Sequence, residues 1–215
     1  MTDRAYILSL IAQGEHEHQD FKYQISDARK IARSISAFAN HSGGHLLVGV
    51  KDNGVVAGVS SDEEMYMIEQ AASLYCRPEQ TVHFSVYHLD GKAVVKADIA
   101  EAGTKPVKAP DENGNYRAYY RVADENVLAS ALHVRLMSEP AAENDTQLAF
   151  TEREQQLLDY LDHHGGITLT GFSRLSHCSR PAAAQTIETL CRMGVITLEY
   201  HDGQCLVVAA ENRNN

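Results

Sequence analysis

Apolar and polar positions change period several times along the chain, and each change marks an element. Ile7, Leu8, Leu10 and Ile11 predict a short amphipathic helix over residues 4–13, stopped by Gly14. Residues 20–23 predict a strand with Phe21 on one face and Asp20 and Lys22 sharing the other. After Ser26, a suitable N-cap, Ala28, Ile31, Ala32, Ile35, Phe38 and Ala39 recur at helical spacing and predict a continuous buried stripe. The nearly unbroken apolar run 45–50 predicts a strand covered on both faces. Asn53-Gly54 predicts a hairpin turn, with 55–59 as the returning strand. Ser61 to Glu64 read as a capping box that opens a helix to about Tyr75. Residues 81–89 and 92–99 alternate around Asp90-Gly91, a second hairpin; 116–122 reads as a strand and 127–137 as a helix.

Residues 138–147 are polar, aperiodic and contain proline, which predicts a linker. Beyond it the pattern starts afresh. Thr151 and Glu154 cap a helix carrying Leu157, Leu158 and Leu161; Leu169, Phe172 and Leu175 mark a second. Ser179 caps a third, with Pro181 in its first turn and Gly194 beyond its end. Residues 195–200 and 204–208 then alternate around Asp202-Gly203. Three helices followed by a two-stranded wing is the winged helix-turn-helix layout. Helices mixed with hairpin-joined strands favour α+β over a doubly wound parallel sheet. The expected organisation is a mixed sheet-and-helix domain over 1–137, a linker over 138–148 and a winged helix-turn-helix domain over 149–211.

The 215 residues are 44% hydrophobic, enough for a real core, and carry a formal net charge of −10. Residues 1–137 hold 14 Lys/Arg against 18 Asp/Glu, and 138–215 hold 5 against 11, so neither half is a basic domain. Phosphate neutralisation supplies most non-specific affinity for nucleic acid, so any such contact must rest on a local patch. No apolar run approaches the roughly 20 residues of a membrane span, and the N-terminus lacks the layout of a signal peptide. Cys76, Cys178, Cys191 and Cys205 are scattered, with no Cys-x-x-Cys pair. They read as small hydrophobes of a reducing compartment, and the cytosol is the expected location.

Several motifs stand in a fixed order: Glu15, Asp20, Phe21 and Lys22; Ala37 to Asn40 with Gly43 and Gly44; Gly49, Val50 and Asp52; Lys105 to Val107; and Tyr119 to Val122. Over roughly residues 10–122 this order resembles the Schlafen-type AlbA-like domain, also filed as a divergent AAA family. Asp20 stands where that family usually has Glu, and Ala123-Asp124 replaces a common Gly-Ser. The resemblance implies a DNA-binding protein or transcriptional regulator, since many bacterial members are so described, often with a winged helix behind. It also implies a rival: animal relatives include RNA endonucleases that use the acidic trio matching Glu15, Asp20 and Asp52. The divergent AAA name implies nucleotide binding, yet no Gly-x-x-x-x-Gly-Lys-Ser/Thr phosphate loop is present.

Glu15, Asp20 and Asp52 could hold Mg²⁺ or Mn²⁺ for phosphodiester hydrolysis, with Lys22 steadying developing phosphate charge. Against this, Glu15 follows a helix end and Asp52 begins a turn, where both would be simply solvated. His16 and His18 alternate with Glu15 and Glu17, but no partner ligand stands at zinc-motif spacing, so an exposed edge is expected. Lys105, Lys108, Arg117 and Arg121 are interleaved with Tyr116, Tyr119 and Tyr120, a mixture suited to phosphates and stacked bases; an ordinary strand with one solvated face is the alternative. In the third helix of the tail, Arg180, Gln185, Thr189 and Arg192 are expected to face outward toward DNA, with Glu188 among them counting against it. Asn40, Gly43 and Gly44 read as a structural helix end. The preferred reading is a nucleic-acid-binding regulator, with DNA the expected partner, self-association open, no membrane and no cofactor. A metal-dependent nuclease and an acidic protein-interaction module are its rivals.

Overall fold

A short strand buried on both faces organises the first half of the chain. The computed structural model describes residues 2–138 and 151–210, and the chain divides into two compact units, Met1–Ala129 and Ser130–Asn215. The first unit contains, in order, α1 (Asp3–Ile11), β1 (Gln19–Lys22), α2 (Ala28–Asn40), β2 (Gly44–Val48), α3 (Ser61–Leu74), β3 (Val82–Leu89), β4 (Lys92–Ile99), β5 (Lys108–Pro110), β6 (Tyr116–Val122) and β7 (Glu125–Leu128). Strands pair in the order β1-β2-β4-β3, with β1 and β2 parallel and the other pairs antiparallel. A second sheet has the order β5-β6-β7. On β2, Leu46 and Val48 enter the core beneath α2, whereas Leu47 joins Ile7 and Phe21 in a smaller core on the other face. That two-sided burial is why residues 46–48 are apolar without alternation.

α2 is the hub of this unit. Its stripe of Ile31, Ala32, Ile35, Phe38 and Ala39 is buried, and so are the polar residues Ser34, Ser36 and Asn40. Asn40 Nδ2 donates to the carbonyls of Val107 and Tyr119, both at 2.8 Å, and its Oδ1 accepts from Val107 N–H at 2.7 Å. Ser36 Oγ donates to the Val107 carbonyl at 2.8 Å and accepts from Tyr119 N–H at 3.2 Å. Two helical side chains thus satisfy buried backbone groups that β5 and β6 leave open.

Four local expectations are corrected. Residues 55–59 form no strand: only Val56 bridges to Val50, and the N–H groups of Ala57 and Gly58 both turn back to the Gly49 carbonyl. Gly49, at φ +96° with a carbonyl 3.0 Å from where a Cβ would stand, allows that reversal. Asp27, not Ser26, caps α2, accepting from Arg29 N–H. The capping box at Ser61 does not form, because Glu64 is buried and accepts instead from Ile25 N–H at 2.8 Å, a tertiary bond across 39 residues. Residues 127–137 are not one helix: Val127 and Leu128 end β7, and the helix α4 spans Ala131–Ser138.

The second unit contains α4, α5 (Glu152–His164), β8 (Gly166–Ile167), α6 (Leu169–Leu175), α7 (Arg180–Arg192), β9 (Ile196–His201) and β10 (Gln204–Ala209), with strand order β8-β10-β9. The capping box of Thr151 and Glu154 forms, and Ser179 caps α7. The core joins Leu157, Leu161, Phe172, Ile187, Leu190 and Ile196 with Leu132 from α4, a stretch expected to belong to the first domain. Arg135 of the same helix pairs with the buried Glu188, Nε to Oε1 at 2.9 Å and NH2 to Oε2 at 3.0 Å. Apart from Ser138, the linker expected at 138–148 lies outside the described residues.

Two outcomes follow from this packing. Asn40→Ala orphans at least two buried backbone groups, each costing about 1–3 kcal/mol, and should lower the denaturant midpoint without changing the slope. A 149–211 fragment lacks Leu132 and leaves Glu188 buried without Arg135, so it should unfold at lower denaturant than a 130–211 fragment. Equal midpoints would remove α4 from the second core.

Candidate functional site

The turn between α1 and β1 and the end of α2 carry the chemically active side chains of the first unit. Asp20 is 3% exposed on β1, and its Oδ2 lies 2.7 Å from Lys22 Nζ, as expected for neighbours on one strand face, though no donor is aligned on that oxygen. Glu15 folds back so that Oε1 accepts from Phe21 N–H at 2.9 Å. Burial, aided by a side-chain hydrogen bond to Asp20, raises the Glu15 carboxyl to about 7 against the opposing pull of the Phe21 N–H and Lys22. Burial thus favours the neutral form of the Glu15 carboxyl. Asp52 sits exposed in the turn after Val50 and makes no hydrogen bond or ion pair with either. The acidic trio does not assemble as a ligand cluster: the carboxylate oxygens of Glu15, Asp20 and Asp52 do not all lie within 4.8 Å of one another.

Arg121 was expected to face phosphate and does not. It is 1% exposed; NH1 donates to Asn126 Oδ1 at 3.0 Å, and NH2 to the carbonyls of His16 at 2.9 Å and Gln19 at 3.3 Å. Its guanidinium lies 4.8 Å from the Phe38 ring centre, so it fastens the 16–19 turn to α2 and β6. Tyr119 is also a core residue, 8% exposed. Lys105 donates to the His41 carbonyl at 2.9 Å and to Glu101 at 2.7 Å, clamping the end of α2.

Of the expected phosphate-binding cations of the first unit, those left exposed lie on β5 and β6. Lys108 and Arg117 are exposed, Arg117 only 3.6 Å from Asp111. Arg77, which sequence reasoning missed, bridges by backbone to Lys108 and stacks 5.3 Å from the exposed Tyr116 ring. Its sequence neighbourhood carries no signal, since only tertiary pairing brings residue 77 beside 108.

In the second unit, Arg180, Gln185 and Thr189 are exposed along α7, and Arg192 is half-buried in its last turn. Glu188 points inward to Arg135. The outer face of α7 consequently carries no exposed acid.

A further group was not anticipated. Glu17 and His18 in the 16–19 turn and His41 at the end of α2 each offer a ligand atom within 4.8 Å of the other two, and among the described residues no other such trio of His, Cys, Asp or Glu occurs. The histidine and glutamate alternation at 15–18 was visible, but His41, its distant third member, was not.

Residues 15–130 match the family described as Schlafen, AlbA_2. The chain belongs to that family. No curated protein matches it. Among solved structures, the AlbA_2 chain is similar to the DIP2311 protein from Corynebacterium diphtheriae at 20% identity and a TM-score of 0.45, covering 74% of this chain and 38% of that one. It is also similar to the N-terminal domain of a DNA helicase RecG-related protein from Nitrosomonas europaea, at 12% identity and a TM-score of 0.39, covering 71% and 96% respectively. This chain thus spans well under half of the Corynebacterium protein.

The raised Glu15 value gives a signed pH dependence. The folded Glu15 value of about 7 lies above the ordinary 4.5. Below 4.5 both states keep the proton; between 4.5 and 7 only the folded state does, so stability falls as pH rises through that window. NMR titration of the Glu15 carboxyl carbon should show a midpoint near 7, moved downward by Asp20→Asn. A wild-type midpoint at 4.5 would show that burial does not raise the Glu15 carboxyl.

Proposed function

We propose that this AlbA_2 protein is a DNA-binding regulator whose second unit is a winged helix-turn-helix with α7 in the recognition position. The observation that carries this reading is the outer face of α7. Arg180, Gln185 and Thr189 are exposed there, while the one acid of the helix, Glu188, is 8% exposed and consumed by Arg135. A negative balance over the whole domain therefore does not reach this surface. The acids of the described part of the unit lie instead on α5 (Glu152, Glu154, Asp159, Asp162) and on or beside the β9–β10 hairpin (Glu199, Asp202). The element order α5-β8-α6-α7-β9-β10 also supports the reading, since a helix preceding a two-stranded wing is the one such domains place in the major groove. Arginine and glutamine suit base edges and phosphates, and threonine adds a hydroxyl.

Arg77, Lys108 and Arg117 with Tyr116 supply an auxiliary phosphate and stacking surface in the first unit. Membership of the AlbA_2 family supports a nucleic-acid-related role for that unit. The nuclease alternative has less support, because the ligand atoms of Glu15, Asp20 and Asp52 do not all lie within 4.8 Å of one another.

The test is fluorescence anisotropy of the full chain on duplex DNA across a salt series, with chelator present. Affinity should fall steeply with salt, and each of Arg180→Ala and Lys108→Ala should flatten the log–log slope by about 1 if one phosphate contact is lost. Arg153→Ala, on α5, should leave it unchanged. Binding absent at low salt, or slopes untouched by both substitutions, would hand the reading to the protein-interaction module.

A further inference from the structure

The 16–19 turn and the end of α2 approach each other for a reason that their backbones make explicit. His45 N–H donates to the His18 carbonyl at 2.9 Å, and His18 Nδ1 lies 3.0 Å from the Gly43 carbonyl oxygen. At Gly44 any Cβ would run into the Phe38 ring and come within 2.8 Å of the His18 carbonyl oxygen, so only glycine permits the approach. Gly43, at φ +77°, turns the chain immediately after His41 and Ser42. Lys105 holds the His41 carbonyl from the other side. His18 and His41 are thus set beside each other, ring centres 5.4 Å apart, by bonds that do not use their metal-binding nitrogens.

From this geometry we infer that Glu17, His18 and His41 form a binding site for a borderline transition-metal ion, Zn²⁺ foremost, with one coordination position left for water or an anionic ligand. The donor set decides the class of ion. Two imidazoles and a carboxylate suit Zn²⁺ and its neighbours, whereas Mg²⁺ and Ca²⁺ take oxygen ligands. Three protein ligands and an open position distinguish such a site from a closed structural one. Only a protonated nitrogen can donate to a carbonyl, so the Gly43 oxygen keeps the proton on His18 Nδ1 and leaves the Nε2 lone pair outward. Ser42 Oγ, 3.0 Å from His41 Nδ1, can accept from that nitrogen and orient the second ring in the same way. The His41 ring is also held edge-on against Tyr120 at 4.8 Å.

Distances are compatible with closure. Ligand atoms around tetrahedral zinc stand about 3.3 Å apart, given bonds of about 2.0–2.1 Å. The three here lie within 4.8 Å of one another, and Glu17 and His18 are exposed, so rotation of their side chains can make up the difference. The two-histidine, one-carboxylate set shares no residue with the Glu15–Asp20–Lys22 cluster and does not depend on the DNA-binding reading.

The experiment uses the untagged full chain, stripped with chelator and titrated with Zn²⁺ by calorimetry, with Co²⁺ absorption as a second readout. One equivalent should bind per chain, and Co²⁺ should give the visible bands of a low-symmetry, four-coordinate ion. His18→Ala and His41→Ala should each weaken binding by at least about 100-fold, the upper end of what loss of even an outer-shell partner costs. Glu17→Gln should weaken it less, while His163→Ala on α5 should leave it unchanged. Circular dichroism establishes that each variant is folded, which the exposure of Glu17 and His18 favours. Absence of stoichiometric Zn²⁺ binding, or full binding in both folded histidine variants, would overturn the inference. Either result leaves the DNA titration, performed with chelator, untouched.

Discussion

One buried asparagine sets the arrangement on which the first unit depends. Asn40 closes α2, and from there its amide reaches the backbone of Val107 and Tyr119 with three hydrogen bonds of 2.7–2.8 Å. A side-chain amide that can donate twice and accept at its oxygen substitutes for strand pairing that β5 and β6 do not make there. The price of failing to make these bonds would be desolvated backbone, so the helix end has one position relative to those strands. Everything nearby inherits that position: the glycines that follow, the clamp from Lys105, and the place of His41. Asn40 in this chain is structural, but it is structural in three dimensions, well beyond ending a helix.

Charge is handled inside this protein by pairing before exposure. Arg121 is buried with three acceptors and an aromatic face, Asp20 with Lys22, Glu15 with the Phe21 N–H, and Glu188 with Arg135. Buried ions of this kind add little net stability, but leaving one without its partner is costly, so they fix geometry more than they strengthen it. The consequence for function is that formal charge misleads in both directions. Residues that look like a phosphate-binding stripe on β6 are partly committed to the interior, while a helix in an acidic domain presents no acid outward. A surface can be cationic locally even at a net charge of −10.

Much of the fold could be read from one-dimensional pattern, and particular residues show where that reading stops. The stripe of α2, the two-sided burial of β2, the β3–β4 hairpin, the capping box of α5 and the capped α7 depend on neighbours within a few positions, and periodicity or local capping reports those. Glu64 has the spacing of a capping residue, yet it bonds to Ile25, because a buried backbone donor far away competes for it better than its own helix end does. Arg121 and Tyr119 alternate on β6 as if one face were solvated, but α2 and the 16–19 turn cover that face. Residues 55–59 look like a returning strand, and the left-handed turn at Gly49 sends them elsewhere.

The sequence alone therefore determined the helices and strands with strong local periodicity, the α+β mixture, and the ordered motifs that place the chain in the AlbA_2 family. Only the tertiary structure decided which polar residues are free to act. It withdrew Arg121 and Tyr119 from the surface, tied Glu15 to the Phe21 N–H and Asp20 to Lys22, left Asp52 exposed, added Arg77 to Lys108, and joined His41 to Glu17 and His18. The reason is physical. Periodicity records which side of an element is buried, whereas the availability of a charge or a lone pair depends on partners tens of residues away, brought to hydrogen-bonding distance only when the chain has folded.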